Sequence, residues 1–293
     1  MKNLLDSLKK LIGSMVLTLM KEEMMHPKVA TIVPLKHLNT IIDDEYFMCL
    51  SHAAENSEYL HFFEDRSKEG KYVILDNSAI EMGGPESFET YLEKALLMEA
   101  SEIMLPDIFP DPVATLLEAR RCMALLKRVK YSGNVMVIPQ GATVLEWLSN
   151  ARDLCEIRVL RYPMNPIGGD AAEHWEATTI GISYRHADLF GGNRIDILWL
   201  LDSILPGFQK IHFLGVKMDP RFEARLAIKQ YGVRGVDSSF PCVYTRHGIK
   251  ITPEFLSGSR PTREIDFLED GYDPKLLQKN MDMWWDACLN PSE

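Results

Sequence analysis

The sequence predicts an α/β fold of the (β/α)8 TIM-like barrel type, and three observations lead to it. Apolar runs typical of strands buried on both faces alternate with helical patterns, as they do in βαβ units. The length of 293 residues suits one such barrel, which commonly spans about 250 residues. Four apolar runs also end on a carboxylate or carboxamide, where the active sites of these barrels lie. Those ends are Asp76 with Asn77, Asp107, Gln140 and Asp237.

Residues 1–25 are expected to form an amphipathic helix, because leucines and other apolar residues recur there at i, i+3, i+4 spacing. A signal peptide is the alternative, since Leu11 to Met20 is mostly apolar. However, no small-residue cleavage site precedes the charged residues 21–23. The run is also too short to span a bilayer. We therefore expect a packing or oligomerisation helix, with association to a membrane surface as the lesser alternative and no membrane-spanning segment.

The first half of the chain predicts a regular alternation of strands and helices. A short strand is expected at 30–35 and the first barrel strand at 46–51, followed by the strands that end at Asn77, Asp107 and Gln140. The helices expected between and after them are 52–71, 85–100, 113–129 and 143–153.

The second half is less regular. Strands are expected at 157–163, 178–184 and 210–216 and in the run ending at Asp237, with helices at 195–205 and 220–231. Residues 164–177 predict an insertion or a long loop. A C-terminal extension, 254–293, is loop-rich and closes with a helix near 274–288. No change in composition marks a boundary, so we predict a single domain over residues 1–293.

Composition narrows the functional classes. A formal net charge of −10 argues against a protein that coats nucleic acid without specificity, although it permits a local basic face. A first basic group, 120–130, predicts a solvated helix face. A second group, which flanks Asp237, fits either phosphate contacts or a solvated face; it comprises Arg221, Arg225, Lys229, Arg234, Arg246 and Lys250. Five dispersed cysteines predict reduced thiols in a cytoplasmic protein and show no zinc-ligand spacing.

Six segments carry the strand-end residues in a fixed order. They are LDNSAIE (75–81), LPDIFPDPVAT (105–115), IPQG (138–141), IGIS (180–183), FLGV (213–216) and VDSSFPCVYTRHG (236–248). Together they resemble the tRNA-guanine transglycosylase superfamily, and most closely its short, phage-type members that place 7-deazaguanine bases in DNA. The resemblance covers about Cys49 to Gly248, roughly two thirds of the chain, and rests on the order and spacing of the motifs.

The resemblance implies roles for particular residues. Asp237 would be the nucleophile, Asp76 the general acid/base and Glu81 a supporting residue, while Asp107 would read the guanine edge. Gln140 and Gly141 would contact the base, as would the backbone of Gly181, Ile182 and Ser183. The other positions expected at the site are Asn77, Ser238, which would orient Asp237, and Met218, which would stack on the base from just past a strand end.

Two departures from the family pattern affect the expected substrate. The tRNA enzymes carry a zinc site of three cysteines and a histidine after the nucleophile strand, and nothing in this sequence provides it; no metal or cofactor is expected. The double-glycine motif is reduced to Gly181-Ile182-Ser183. Both departures favour the DNA-directed branch. The expected partners are therefore DNA, with tRNA as the alternative, and a free 7-deazaguanine base, together with a second copy or a partner protein.

Each assignment has a structural alternative. Asp76 and Asn77 could cap the next helix, and Asp107 could be a turn carboxylate. Asp111 is expected to be structural because it precedes Pro112, and His212 is expected in the core or at the bottom face. Gln140 and Asp237 are the hardest to explain structurally, since buried polar groups need partners. Two other functions stay open: a non-catalytic subunit that binds nucleic acid or another transglycosylase, and an unrelated barrel hydrolase.

Overall fold

The computed structural model of the protein describes most of the chain between residues 28 and 289. The described ranges are 28–84, 86–159, 173–174, 179–192, 194–205, 210–216, 221, 223, 233–253, 261 and 265–289. The predicted N-terminal helix and Met218 lie outside these residues. So do most of the predicted 164–177 insertion and most of the predicted 220–231 helix.

Eight parallel strands form one sheet that curls into a nearly closed barrel. The sheet order is β1-β10-β9-β8-β5-β4-β3-β2, and β1 lies beside β2 at the seam. The strands are β1 (Lys28–Thr31), β2 (Tyr46–Leu50), β3 (Tyr72–Asp76), β4 (Glu102–Met104), β5 (Asn134–Val137), β8 (Thr179–Ser183), β9 (Ile211–Leu214) and β10 (Val233–Ser238). The α/β barrel predicted from the sequence is thereby confirmed.

Two strand assignments differ from the sequence prediction. Strand β1 pairs in parallel with β10, so it is the first barrel strand and 46–51 supplies the second. The expected strand at 157–163 does not join the barrel in its described part. Its residues form β6 (Arg158–Val159), which pairs antiparallel with β7 (Glu173–His174) in a separate two-stranded sheet. An apolar run predicts a strand, but the sheet it joins depends on partners far away in sequence.

Helices connect the strands. They are α1 (Ser57–Lys68), α2 (Ala79–Met82), α3 (Phe88–Leu97), α4 (Pro112–Val129), α5 (Val144–Cys155), α6 (Asp196–Ile204), α7 (Phe240–Arg246) and α8 (Pro274–Leu289). Side-chain caps fix several starts: the Asp111 carboxylate accepts from the N–H groups of Val113 and Ala114, which confirms its structural role. Thr143 and Glu146 form a capping box on α5. None of the helices among the described residues is long and apolar enough to cross a membrane.

The interior of the barrel contains a polar layer at the N-terminal end of the strands. Arg234 pairs with Glu102, and its guanidinium also donates to the Tyr72 hydroxyl and to Thr179 Oγ1. Asn134 donates to the same Tyr72 hydroxyl. Above this layer, one inward position further along the strands, lie mainly apolar side chains: Met48, Ile74, Met104 and Met136. The open, C-terminal end of the barrel then carries the candidate site.

A β-bulge in β10 serves both ends of the barrel. The pairing of β10 with β9 shifts between Val233 and Gly235, so Arg234 is an extra residue at that point. Regular alternation would place Arg234 and Asp237 on opposite faces of the strand, because they are three residues apart. The bulge instead lets Arg234 reach the bottom polar layer while Asp237 faces the open end.

Candidate active site

Asp237 lies near the C-terminal end of β10 with both carboxylate oxygens engaged from the barrel side. Its Oδ1 is 3.0 Å from Nε2 of His212 on β9, and its Oδ2 accepts a hydrogen bond of 3.3 Å from the Gly215 N–H. The side chain is largely buried, and only 6% of the residue is exposed. A carboxylate has about four acceptor sites, so each Asp237 oxygen can accept a further hydrogen bond.

Asp76 is the last residue of β3 and belongs to the same end. Burial, followed by the nearby negative charges of Glu81 and Asp237, raises the pKa of Asp76 well above its ordinary value; the Ser78 N–H opposes this rise. Partial removal from solvent, followed by the charge of Asp237, also raises the pKa of Glu81. Its side chain on α2 nevertheless remains accessible to solvent. Both carboxyl groups therefore favour the protonated form more than a solvent-exposed carboxyl group does.

Asp107 and Gln140 lie beyond the ends of β4 and β5 in a second hydrogen-bonded group. Asn77 Nδ2 donates to Asp107 Oδ1 at 3.0 Å, and Gln140 Nε2 donates to Asp107 Oδ2 at 2.7 Å. Gln140 Oε1 lies 3.2 Å from His186 Nε2. Burial lowers the pKa of His186 to about 4, so the ring is neutral and donates to the Gln140 carbonyl. This chain fixes which way the Gln140 amide points.

The arrangement leaves hydrogen-bonding capacity for a ligand. Among the described residues, each Asp107 oxygen accepts one side-chain hydrogen bond and can accept a second, and the Gln140 amide nitrogen uses one of its two N–H groups. Burial raises the pKa of Asp107, and the hydrogen bonds from Asn77 and Gln140 oppose that rise. A heterocycle with adjacent N–H donors and a carbonyl would complement Asp107 and Gln140 together.

Several residues predicted to contact the base also have a structural role. A side chain at Gly141 would lie 2.5 Å from the Trp147 backbone nitrogen, so this glycine lets the chain pack on the first turn of α5. Gly181 packs within the sheet, where an added Cβ would meet Leu214 and Met136 at 2.9 Å. The Ile182 carbonyl oxygen accepts a hydrogen bond from Arg194, so it already has one partner within the protein.

The two predicted serine contacts cap short helices. Ser183 Oγ accepts from the Arg185 N–H and starts the 3-10 helix Tyr184–Phe190. Ser238 Oγ accepts from the Phe240 N–H at the start of α7. Among the described residues, no hydrogen bond is found between the Ser238 hydroxyl and Asp237, so the orienting role of Ser238 stays a prediction.

Two described members of the basic group around Asp237 are engaged in ion pairs. Arg234 is neither a phosphate contact nor solvated, since it pairs with Glu102 inside the barrel. Arg246 pairs with Asp270. The cation that does lie beside the carboxylates is Arg185, an exposed residue whose charge lowers the pKa of Asp107 and Glu81 against the dominant burial effect. In the first basic group, Arg120, Arg121, Arg128 and Lys130 are exposed as expected, whereas Lys127 is half-buried.

The sequence did not single out two histidines that shape the site. His212 is fully buried in the core, as expected, and its ring also contacts Asp237. His186 contacts Gln140 from the helix that follows β8. The available signal for His212 was its position: it lies three residues before Gly215 within a buried apolar run, where a polar side chain needs a partner.

The fold and these side chains define an α/β barrel whose strand ends gather three buried carboxylates and a carboxamide. A scan against models of known protein families finds no match for the chain, and a search of curated proteins finds no significant relative. Among the described residues, no three His, Cys, Asp or Glu side chains are grouped so as to hold a metal ion. The geometry of the site is therefore the main guide to its chemistry.

Proposed function

We propose that this chain is a pentosyltransferase that exchanges guanine in a polynucleotide, with DNA the favoured polymer, for a 7-deazaguanine base. The observation that carries the proposal is that the three carboxyl groups differ in their hydrogen-bond partners and in their preferred protonation state. Asp237 is held by donors on both oxygens, Asp76 favours its protonated form, and Asp107 with Gln140 presents a fixed hydrogen-bonding edge. The resemblance of the strand-end motifs to guanine transglycosylases points to the same chemistry.

The first half of the reaction would break the glycosidic bond. An Asp237 oxygen attacks C1′ and forms a covalent aspartyl-nucleoside ester, while the C1′–N9 bond breaks and its electron pair stays on N9. Protonated Asp76 donates its proton to the departing guanine, which lowers the charge that the leaving base must carry. Asp107 would accept from N1–H and the exocyclic amine, and the free Gln140 N–H would donate to O6.

The second half would reverse these transfers with the new base. The ionised Asp76 takes the proton from the ring nitrogen of the incoming 7-deazaguanine, and that nitrogen attacks C1′. The bond between C1′ and the Asp237 oxygen then breaks. Two displacements at C1′ retain its configuration. The target nucleotide has to leave the base stack to reach carboxylates at the open end of a barrel.

A trapping assay tests this function. The 293-residue protein is incubated with guanine-containing DNA or tRNA, then denatured and separated on a gel, with Asp237→Ala alongside. A protein–DNA band that Asp237→Ala abolishes is the expected result. A band with tRNA alone would replace the DNA assignment and keep the chemistry. Absence of a band and of labelled-guanine exchange with both polymers would reject the enzyme and favour a non-catalytic subunit that binds nucleic acid or another transglycosylase.

A further inference from the structure

His212 joins the candidate nucleophile to Tyr46 on β2, which lies two strands from β10 around the barrel. Its Nε2 contacts Asp237 Oδ1 at 3.0 Å, and its Nδ1 contacts the Tyr46 hydroxyl at 2.9 Å. The His212 ring is fully buried and Tyr46 is 3% exposed. The three side chains therefore form one hydrogen-bonded chain through the barrel interior.

The direction of each hydrogen bond follows from the proton count. Burial raises the pKa of the Tyr46 phenol well above its ordinary value, so the hydroxyl keeps its proton. Burial also lowers the pKa of His212, against the opposing effect of Asp237, so the ring is neutral with a single N–H. If that N–H were on Nδ1, the Nε2 lone pair would face the carboxylate lone pairs. The favourable arrangement has Tyr46 donating to Nδ1 and Nε2–H donating to Asp237.

The backbone makes room for this chain. A Cβ at Gly235 would lie 2.9 Å from the Tyr46 hydroxyl oxygen and 3.0 Å from Cε1 of its ring. Glycine at this position of β10 therefore lets the phenol reach His212. On the other carboxylate oxygen, the Gly215 N–H is the donor. Each oxygen of the Asp237 carboxylate thus has one hydrogen-bond donor, His212 for Oδ1 and the Gly215 N–H for Oδ2.

We propose that Tyr46 and His212 are positioning residues that orient Asp237 for attack on C1′, a role that rests on the proposed transglycosylase function. Tyr46 selects the His212 tautomer, and His212 supplies the N–H that holds Oδ1. Neither residue touches the base. Their loss lowers the rate of adduct formation and leaves the apparent KM for the free base unchanged, because Asp107 and Gln140 recognise the base separately.

The first test measures single-turnover formation of the covalent adduct with guanine-containing DNA and tRNA. A hydrogen bond to a charged acceptor predicts a loss of about 10- to 100-fold in His212→Phe, and about 2- to 10-fold in Tyr46→Phe. His212→Gln retains an N–H donor and is expected to recover most of the rate. Tyr72→Phe is the matched control, because Tyr72 stacks on Tyr46 with ring centroids 5.4 Å apart and its hydroxyl belongs to the Glu102 and Arg234 cluster.

The second test needs no activity. In protein labelled with ¹⁵N-histidine, the resonances that disappear in His212→Gln identify the ring. The expected wild-type state at neutral pH is the tautomer with the proton on Nε2. The population with the proton on Nδ1 increases in Tyr46→Phe and stays at the wild-type level in Tyr72→Phe.

The possible failures are distinguishable. No adduct from wild-type protein rejects the transglycosylase function and with it the positioning role. If the wild-type protein forms the adduct and His212→Phe or Tyr46→Phe forms it equally fast, the positioning role alone is rejected. A wild-type His212 with its proton on Nδ1 also overturns it, as does a base-exchange defect in either variant that consists only of a raised KM for the free base.

Discussion

The two ends of the barrel interior treat buried charge in opposite ways. At the N-terminal end, the guanidinium of Arg234 meets the carboxylate of Glu102, with Tyr72 and Thr179 as further partners. At the C-terminal end, Asp76, Asp107 and Asp237 have mainly neutral partners such as amide groups and histidines. In the described barrel interior, the N-terminal end pairs Arg234 with Glu102, whereas the three aspartates at the C-terminal end have no cationic side chain among their hydrogen-bond partners.

This difference separates a structural polar cluster from the candidate active site. Breaking a buried ion pair is costly, but the intact pair needs no partner from solvent or a ligand. Neighbouring carboxyl groups raise each other's pKa and make the folded protein less stable when they ionise. Such an arrangement is typical of sites whose side chains exchange protons with a substrate. We therefore expect mutations at the C-terminal end to affect chemistry and those at the N-terminal end to affect stability.

The largest expected effect comes from Asp237→Asn. Loss of the nucleophile is expected to lower adduct formation by a factor on the order of 10⁴ or more. Stability should change by about 1 kcal/mol or less, since one hydrogen bond is altered and a negative charge is removed. Gel trapping and urea denaturation measure the two quantities. Persistent adduct in this variant would assign the nucleophile to another residue.

Asp76→Asn tests the proton-transfer group. Removal of a general acid is expected to lower guanine exchange by about 10²- to 10⁴-fold while the fold is retained. Asp111→Asn is the matched control, because asparagine also caps helices well and Asp111 lies outside the carboxylate group. Equal exchange rates in the Asp76 and Asp111 variants would remove Asp76 from the mechanism.

Arg234→Met tests the opposite end of the barrel. It leaves Glu102 buried without its counter-charge, so the free energy of unfolding is expected to fall by about 3–5 kcal/mol. The further change Glu102→Met should restore part of that loss, because an apolar pair replaces the ion pair. Chemical denaturation measures both variants. If Arg234→Met stopped adduct formation in folded protein at full stability, the division between the two ends would be wrong.

The smallest effect concerns pH. Burial and the charges of Asp43 and Glu45 raise the pKa of Asp44 to about 7, at the end of β2 away from the site. A carboxyl with a raised folded pKa leaves stability intact below its unfolded value, near 4, and lowers stability as pH rises toward the folded value.

Asp44→Asn should therefore reduce the loss of unfolding free energy between pH 4 and 7 by about 1–2 kcal/mol after solvent screening. Exchange activity should be unchanged. Asp76→Asn should flatten it from about pH 4 upward and also lose activity. Thermal unfolding across this pH range checks both. Loss of activity in Asp44→Asn would show that raised carboxyl pKa values do not distinguish the two regions.

The sequence is sufficient to predict the barrel and the strand ends that carry the site. The runs ending at Asp76, Asp107, Gln140 and Asp237 combine a continuous apolar pattern with an abrupt polar residue, which is a local signal. The contacts of His212 and His186 are not local, since they depend on the register of β9 with β10 and on the helix after β8. The membership of β1 in the barrel is set by β10, about 200 residues later in the chain.

The extra residue in β10 limits which changes the strand can tolerate. Substitutions between Val233 and Asp237 alter one side chain at a time, and their effects stay at one end of the barrel. Deleting Arg234 would remove the guanidinium that pairs with Glu102. It would also remove the bulge and so change the orientation of the Asp237 side chain relative to His212. A one-residue deletion here would thus damage stability and catalysis together, although each substitution in the segment is expected to damage mainly one of them.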